Sequence, residues 1–527
     1  MKKDAIEDQT LPSSPLGRRE ALKRLTTLFG GTLSLPAIAG LLGGCDSILN
    51  PEPVGQVVID NVYQDVDGTI SGLNAAYAPM ASGGAYNRAI PELVDLASDD
   101  TWTYRSEDQP KRFATDESNS LVQDLWDALF EGVARSNVVL AQVPGVEFPG
   151  DQASLKNAIL GQARFLRALY YFHLVRFYGG VPLFTEPVSS PKEAAVSKAP
   201  TEEVYAQIEQ DLTESSEMLP KKSELDGSRG LEEGRATSGA ANALLAKAYL
   251  TQEKWTDAAR AAKEVIDSGE YDLFSSYGDN FQGKNENGPE SVLEVQYSSA
   301  GGPTGARHNV LFGPPELVRG NGRQRLIATD NSREFDYPGD NPLGIVQDFE
   351  EGDARKEVAM SNYGLPDFFN PASEKPRFYL VNKYFVGDAY SPGNSPVNYP
   401  VLRYAEVLLI RAEALNERGQ STEAAALVNQ VRSRAGLGPV SEGSASDQET
   451  LRKAIWKERR VELSFESKRF FDLNRTGRLA ERMAAQGIEI DSAKIVEHPI
   501  TGKPKYLYAI PLSETSTNGN ITQNPGY

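Results

Sequence analysis

Groups able to form covalent bonds or hold metals are scarce in this chain. Cys45 is the only cysteine among 527 residues, and the three histidines, His173, His308 and His498, lie far apart. One thiol permits no intramolecular disulfide and no cysteine-cluster metal site, and no HExxH or similar ligand spacing joins the histidines. There is no GxSxG nucleophile elbow, no GxxxxGK[ST] phosphate loop and no DxDxDG calcium loop. With 73 acidic residues, carboxylate pairs at glycosidase separation arise by accident, so a pair without a pocket carries no weight. The sequence reads as a non-enzyme with neither metal nor cofactor.

Two kinds of chemistry remain. The first is covalent attachment at Cys45. Leu42-Gly43-Gly44-Cys45 has the form of a lipobox, in which small residues admit a signal peptidase and the thiol accepts a diacylglycerol. The run before it, Thr26 to Gly44, is uncharged but diluted by Gly, Thr, Ser and Pro36, which suits a signal h-region better than a membrane span. An N-terminal transmembrane anchor with an incidental cysteine is the alternative. Arg18-Arg19-Glu20-Ala21-Leu22-Lys23 resembles a twin-arginine export signal, with Ala21 standing where the usual motif has Phe. Several acyl chains on one protein anchor it stably, whereas one chain alone is marginal.

The second kind is non-covalent. The loop SDDTWTYRSEDQPKR (98–112) sets Trp102 and Tyr104 among Asp99, Asp100, Arg105 and Asp108, outside any helical stripe. Flat rings flanked by carboxylates and guanidiniums suit a ligand with an apolar face and a polar rim. A second set, His308, Phe312, Arg319, Asn321 and Arg323, falls in a stretch rich in Gly, Pro, Asn and aromatics. Ordinary loop packing is the competing reading for both sets. The net charge is −19, and the first 44 residues carry six Lys/Arg against four acids, so the remainder is more acidic still. Such a surface repels phosphate backbones and excludes nucleic acid as a partner.

Helices must carry these loops. Leu121, Leu125, Leu129 and Val133 form one apolar stripe with Trp126 beside it. Residues 155–178 are apolar on nearly every side and predict a central buried helix, ended by Gly179-Gly180 and Pro182, with His173 as a hydrogen-bonded core residue. Thr201 offers a capping hydroxyl to a helix faced by Val204, Ile208 and Leu212. Trp255 and Trp456 fall in helical periodicity and read as core. Residues 246–259 and 412–425 align without gaps, 166 positions apart, each with small Ala residues, a polar turn and an Ala-Ala pair. That is tetratricopeptide grammar, although two unrelated Ala-rich hairpins would give the same letters. The distance between the copies argues against a continuous superhelix. Residues 455–479 read as one scaffold helix, with Glu458, Glu462 and Glu466 on a salt-bridged face. Between the copies, 270–400 is loop-rich, with a strand expected over 291–297.

In order along the chain, RFLRALYYFHLVRFYGGVPL (164–183), ALLAKAYLTQEKWTDAARAAKEVI (243–266), LLIRAEALNERGQSTEAAALVNQVRSRAGL (408–437), ERRVELSFESKRFFDLNRTGRL (458–479) and AIPLSETSTNGNITQNPGY (509–527) closely resemble the SusD/RagB family of nutrient-binding lipoproteins. The resemblance implies a mainly α, SusD-like helical fold with tetratricopeptide-like helix pairs and a loop-rich ligand-binding excursion. It implies a lipoprotein of the cell outer membrane that binds nutrients, above all oligosaccharides, without catalysis. The implied partner is a SusC-like TonB-dependent transporter. A glycan-degrading lipoprotein and a tetratricopeptide-type adaptor are the alternatives. A pyranose presents apolar C–H faces ringed by hydroxyls, which suits Trp102 and Tyr104. The organisation read this way is a signal peptide over 1–44, a lipid-anchored tether over 45–60 and a domain over 61–527. Within the domain, 61–270 and 400–485 are scaffold, 270–400 is the ligand and transporter face, and 486–527 is a closing tail.

Overall fold

A computed structural model describes residues 62–102, 109–150, 152–298, 305–308, 311, 327–328, 344–361, 380–384 and 395–527. The signal peptide, Cys45 and the tether lie outside the described residues.

The helices form where the apolar periodicity places them. After α1 (Val66–Tyr77) and α2 (Ala89–Asp95), α3 runs over Ser120–Gln142, with the Asn119 side chain accepting from the backbone N–H of Leu121 and Val122. Leu121, Leu125, Leu129, Val133 and Trp126 are all buried. Next, α4 spans Ala153–Tyr178 and is buried on all sides from Phe165 to Tyr178. The close approach of α3 and α4 needs Gly132, because a Cβ there would fall 2.2 Å from the Tyr170 ring. Gly179 ends α4 at φ +74, a left-handed conformation that favours glycine. Arg167 is buried inside this helix and survives there by a two-pronged ion pair with Asp211 (2.8 and 2.6 Å) on α5, Thr201–Met218. The expected Thr201 cap is absent: Pro200 precedes the helix, and no side chain caps it.

The sequence repeat becomes two helix pairs, α6 (Ser238–Thr251) with α7 (Trp255–Asp267) and α8 (Tyr404–Glu417) with α9 (Ser421–Arg434). Separation in sequence misled on their arrangement. Helix α7 packs directly on α8, and the series α3, α4, α5, α6, α7, α8, α9 stacks neighbour on neighbour. Buried alanines, including Ala258, Ala261, Ala262, Ala412, Ala414 and Ala424, let these helices approach closely. Trp255 and Trp456 are half-buried at the margins instead of central.

The 455–479 segment is broken in two. Helix α10 (Gln448–Glu462) ends where Phe465 and Ser467 turn with φ of 60° and 54°, and α11 (Arg469–Arg475) follows. The strand expected over 291–297 forms as β2 (Ser291–Val295), paired antiparallel with β6 (Tyr399–Arg403), which runs straight into α8. The tail contributes a hairpin, β7 (Ile495–Glu497) and β8 (Pro504–Tyr506). It is tied to the end of α4, where Asn524 Nδ2 donates to the carbonyls of Tyr178 and Tyr508. No helix among the described residues is long and apolar enough to cross a membrane.

Candidate functional site

Four two-residue strands meet in one antiparallel sheet. Its order is β1 (Thr101–Trp102), β3 (Ile327–Ala328), β5 (Leu380–Val381) and β4 (Met360–Ser361). Thr101 pairs with Ala328 and Trp102 with Ile327, while Leu380 pairs with both Ile327 and Ser361. The sheet thereby sets the base of the 98–112 loop beside Ile327–Ala328 of the 312–343 stretch. Backbone pairing puts Trp102 at the root of this face. Tyr104, Arg105, Phe312, Arg319, Asn321 and Arg323 lie outside the described residues.

Beneath β1 the chain is held by charge. Ser98, Asp99 and Asp100 are buried. The Asp99 carboxylate accepts from Arg469 Nε and Nη2 (2.7 and 2.9 Å) and from Arg482 Nε (2.8 Å). Asp100 accepts from Arg460 Nε at 2.7 Å, and the same guanidinium reaches Asp348 at 2.5 Å. Burial alone would raise the Asp99 carboxyl, but Arg460, Arg469 and Arg482 outweigh it and hold it well below the usual carboxylate range. Asp100 is raised by burial, with the neighbouring Asp99 charge adding to it against Arg460. The Lys111 ammonium, 1 % exposed, donates to the carbonyls of Ser98 and Thr101 at 2.8 Å each and so staples the two stems of the loop. Asp99 and Asp100 therefore anchor the loop from below; they are committed to arginines and do not rim a ligand. The signal that could have found this is the surplus of arginines in 459–482.

A second charged cluster fastens the other strands. Arg403, at the end of β6, binds Glu290 (2.7 Å), Glu462 (2.5 Å) and Glu466 (2.7 and 2.8 Å), all of them buried. Arg355 joins Glu458 and Glu462 to the segment that carries β4, and Lys383 joins Glu466 to the segment that carries β5. The glutamates read from sequence as a salt-bridged helix face are interior, and their partners come from distant elements.

His308 is a correction to the expected ligand-facing set. Its ring is 2 % exposed and stacks on Tyr399 with centroids 4.4 Å apart, in a column that continues to Tyr384. Its Nε2–H donates to the Tyr86 carbonyl at 2.9 Å. Burial pushes its pKa down to about 4, partly opposed by that hydrogen bond, so the ring is neutral at pH 7. Asn87 holds the same segment through Gly305 O (3.1 Å) and Arg307 N (2.7 Å). His308 therefore supports the face from inside. His173 is the hydrogen-bonded core residue expected, with Arg176 Nη2 donating to its Nδ1 (3.0 Å) and its Nε2 2.6 Å from the Tyr86 hydroxyl. Among the described residues, no three His, Cys, Asp or Glu side chains converge as a metal site requires.

A stack of helix pairs carrying a loop-bearing sheet, braced by buried ion pairs, defines a scaffold protein with one elaborated face. Comparison with known proteins gives that class a family. Residues 339–527 match the model of the SusD family, and residues 57–250 match a model described as "Starch-binding associating with outer membrane". The chain is 30% identical over 524 residues to SusD-like protein P2 of Formosa agariphila, covering 92% of this chain and 97% of that one. A solved laminarin-binding SusD-like protein superposes with a TM-score of 0.70 at 29% identity, over 88% of this chain and all of that one. A SusD superfamily protein from Parabacteroides distasonis gives a TM-score of 0.70 at 28% identity, over 90% of this chain and all of the other. The chain belongs to the SusD family.

Proposed function

We propose that this protein is a lipoprotein of the cell outer membrane that binds oligosaccharides without transforming them. It hands them to a SusC-like TonB-dependent transporter. Cys45 carries the lipid, and the acylated tether holds the domain at the surface. The ligand meets the loops that rise from β1 and β3, through Trp102, Tyr104, Arg105, Phe312, Arg319, Asn321 and Arg323. Stacking on flat rings with polar groups around them suits a pyranose.

The observation that carries this reading is the sheet itself. Strands β1 and β3 bring Thr101–Trp102 beside Ile327–Ala328, over two hundred residues away in the chain. The carboxylates beneath them are spent on arginines, which leaves the loops to meet the ligand. The similarity to a laminarin-binding protein and to a starch-binding family model makes glucans the first class to examine.

Isothermal titration against laminari- and malto-oligosaccharides, other glycans and peptides tests the proposal. Saturable heat with at least one glycan is expected. Binding of a peptide with no heat from any glycan would overturn the ligand class. Release of smaller products from a polysaccharide would overturn the non-catalytic part.

A further inference from the structure

The end of α4, helix α11 and the β7–β8 hairpin line a cavity rich in cations. Its volume is about 20 Å³, and its lining includes Arg176, Asn474, Arg475, His498, Lys503 and Lys505, with no Asp or Glu. Two of the cations have their own acids: Arg475 pairs with Glu413 and Asp472, and Lys503 pairs with Glu253. The other two do not. Arg176, 5 % exposed, donates to the Phe172 carbonyl and to His173 and lies between the Phe172 and Phe471 rings. Lys505 is equally buried, and its ammonium has one long contact, 3.4 Å to the Val175 carbonyl.

The nearest acids cannot serve them. Asp472 is taken by Arg459 and Arg475, and Glu406 by Lys247 and Lys468. The C-terminal end of α4 offers them only the partial charge of a helix terminus, roughly half an elementary charge. His498 adds a donor. Its Nδ1 accepts from Thr501 N at 3.3 Å, so the proton sits on Nε2, and that buried Nε2–H has no acceptor. A buried donor or charge left unpaired costs more than a made hydrogen bond contributes, and a buried lysine relieves that cost by losing its proton or by taking a partner.

We infer that this cavity is a site for one small monovalent anion of halide size, held by Lys505, Arg176 and His498. By this measure of volume a cavity needs about 10–15 Å³ to hold one water, so the space has room for one water-sized occupant. The electrostatics agree. Burial, then Arg176, pushes the Lys505 ammonium down to about 7, and burial, then Lys505, pushes His498 down to about 3. A bound anion relieves both and locks the tail hairpin against the helix stack.

Bromide is the probe. Anomalous diffraction from crystals of the wild-type lipid-free protein grown in bromide should show a peak between Lys505 Nζ and His498 Nε2. In solution, sodium chloride should raise Tm relative to sodium gluconate at equal ionic strength, because gluconate is too large for the cavity. Lys505→Met should abolish that difference. A water or empty density at the site with bromide bound elsewhere would overturn the inference, as would equal Tm in the two salts for the wild type. The diffraction result stands even if the variant fails to fold.

Discussion

The helix stack and the sheet-borne face are held by different forces over different distances. In the stack, α6 to α9 meet mostly through buried alanines and leucines, with one Lys247–Glu406 pair between α6 and α8, and most partners are neighbours in sequence or in the repeat. In the face, Asp99 is held by Arg469 and Arg482, about 370 to 380 positions away, and Lys383 is held by Glu466. Apolar packing is spread over many small contacts, so a single loss is shared. Buried ion pairs concentrate stability in a few groups, and removing one partner strands a charge in the interior. The stack should therefore tolerate single substitutions that the face does not.

Arg403→Met should give the largest effect, because it strips a shared partner from Glu290, Glu462 and Glu466. A loss of about 3–5 kcal/mol is expected, the cost of breaking a buried pair from one side. Urea denaturation followed by far-UV circular dichroism measures it, and a change below 1 kcal/mol would show that the cluster is not what fastens the strands. Asp99→Asn should cost roughly 2–3 kcal/mol, in line with charged hydrogen bonds lost at a buried site. It should loosen the 98–112 loop while far-UV circular dichroism keeps its helical amplitude. Ala261→Gly, buried in α7, should cost only about 1–2 kcal/mol through helix propensity and a missing methyl. If the glycine variant proved as damaging as the arginine variant, the contrast between the two regions would fail.

The same contrast governs what could be read from sequence. Helix α4 is legible because its apolar run has no polar face to hide, and the two helix pairs are legible because the alanine grammar repeats. The stacking of α7 on α8 is not, since nothing in either copy encodes which surface meets which. Each strand of the sheet is two residues long, too short for a period-2 pattern to rise above chance. Trp102 stood out as a ring in a polar loop, yet the strand beneath it did not. Asp99, Asp100 and His308 carry the right residue types for ligand contact but are turned inward by partners hundreds of positions away. Glu458, Glu462 and Glu466 were misjudged for the same reason: i,i+4 spacing implies partners on the same helix, and the partners arrive instead from β6, α9 and the segments beside β4 and β5.

Trp102→Ala should be the mildest change to stability and the sharpest to function. It removes a ring from the strand that roots the face, and stability should stay within about 0.5 kcal/mol of wild type. Isothermal titration of wild-type and Trp102→Ala protein with the best-bound glucan oligosaccharide then tests the central claim directly. A drop in affinity of about tenfold or more is expected on removing an aromatic anchor. Equal affinity in the two proteins, with both folded, would contradict the account.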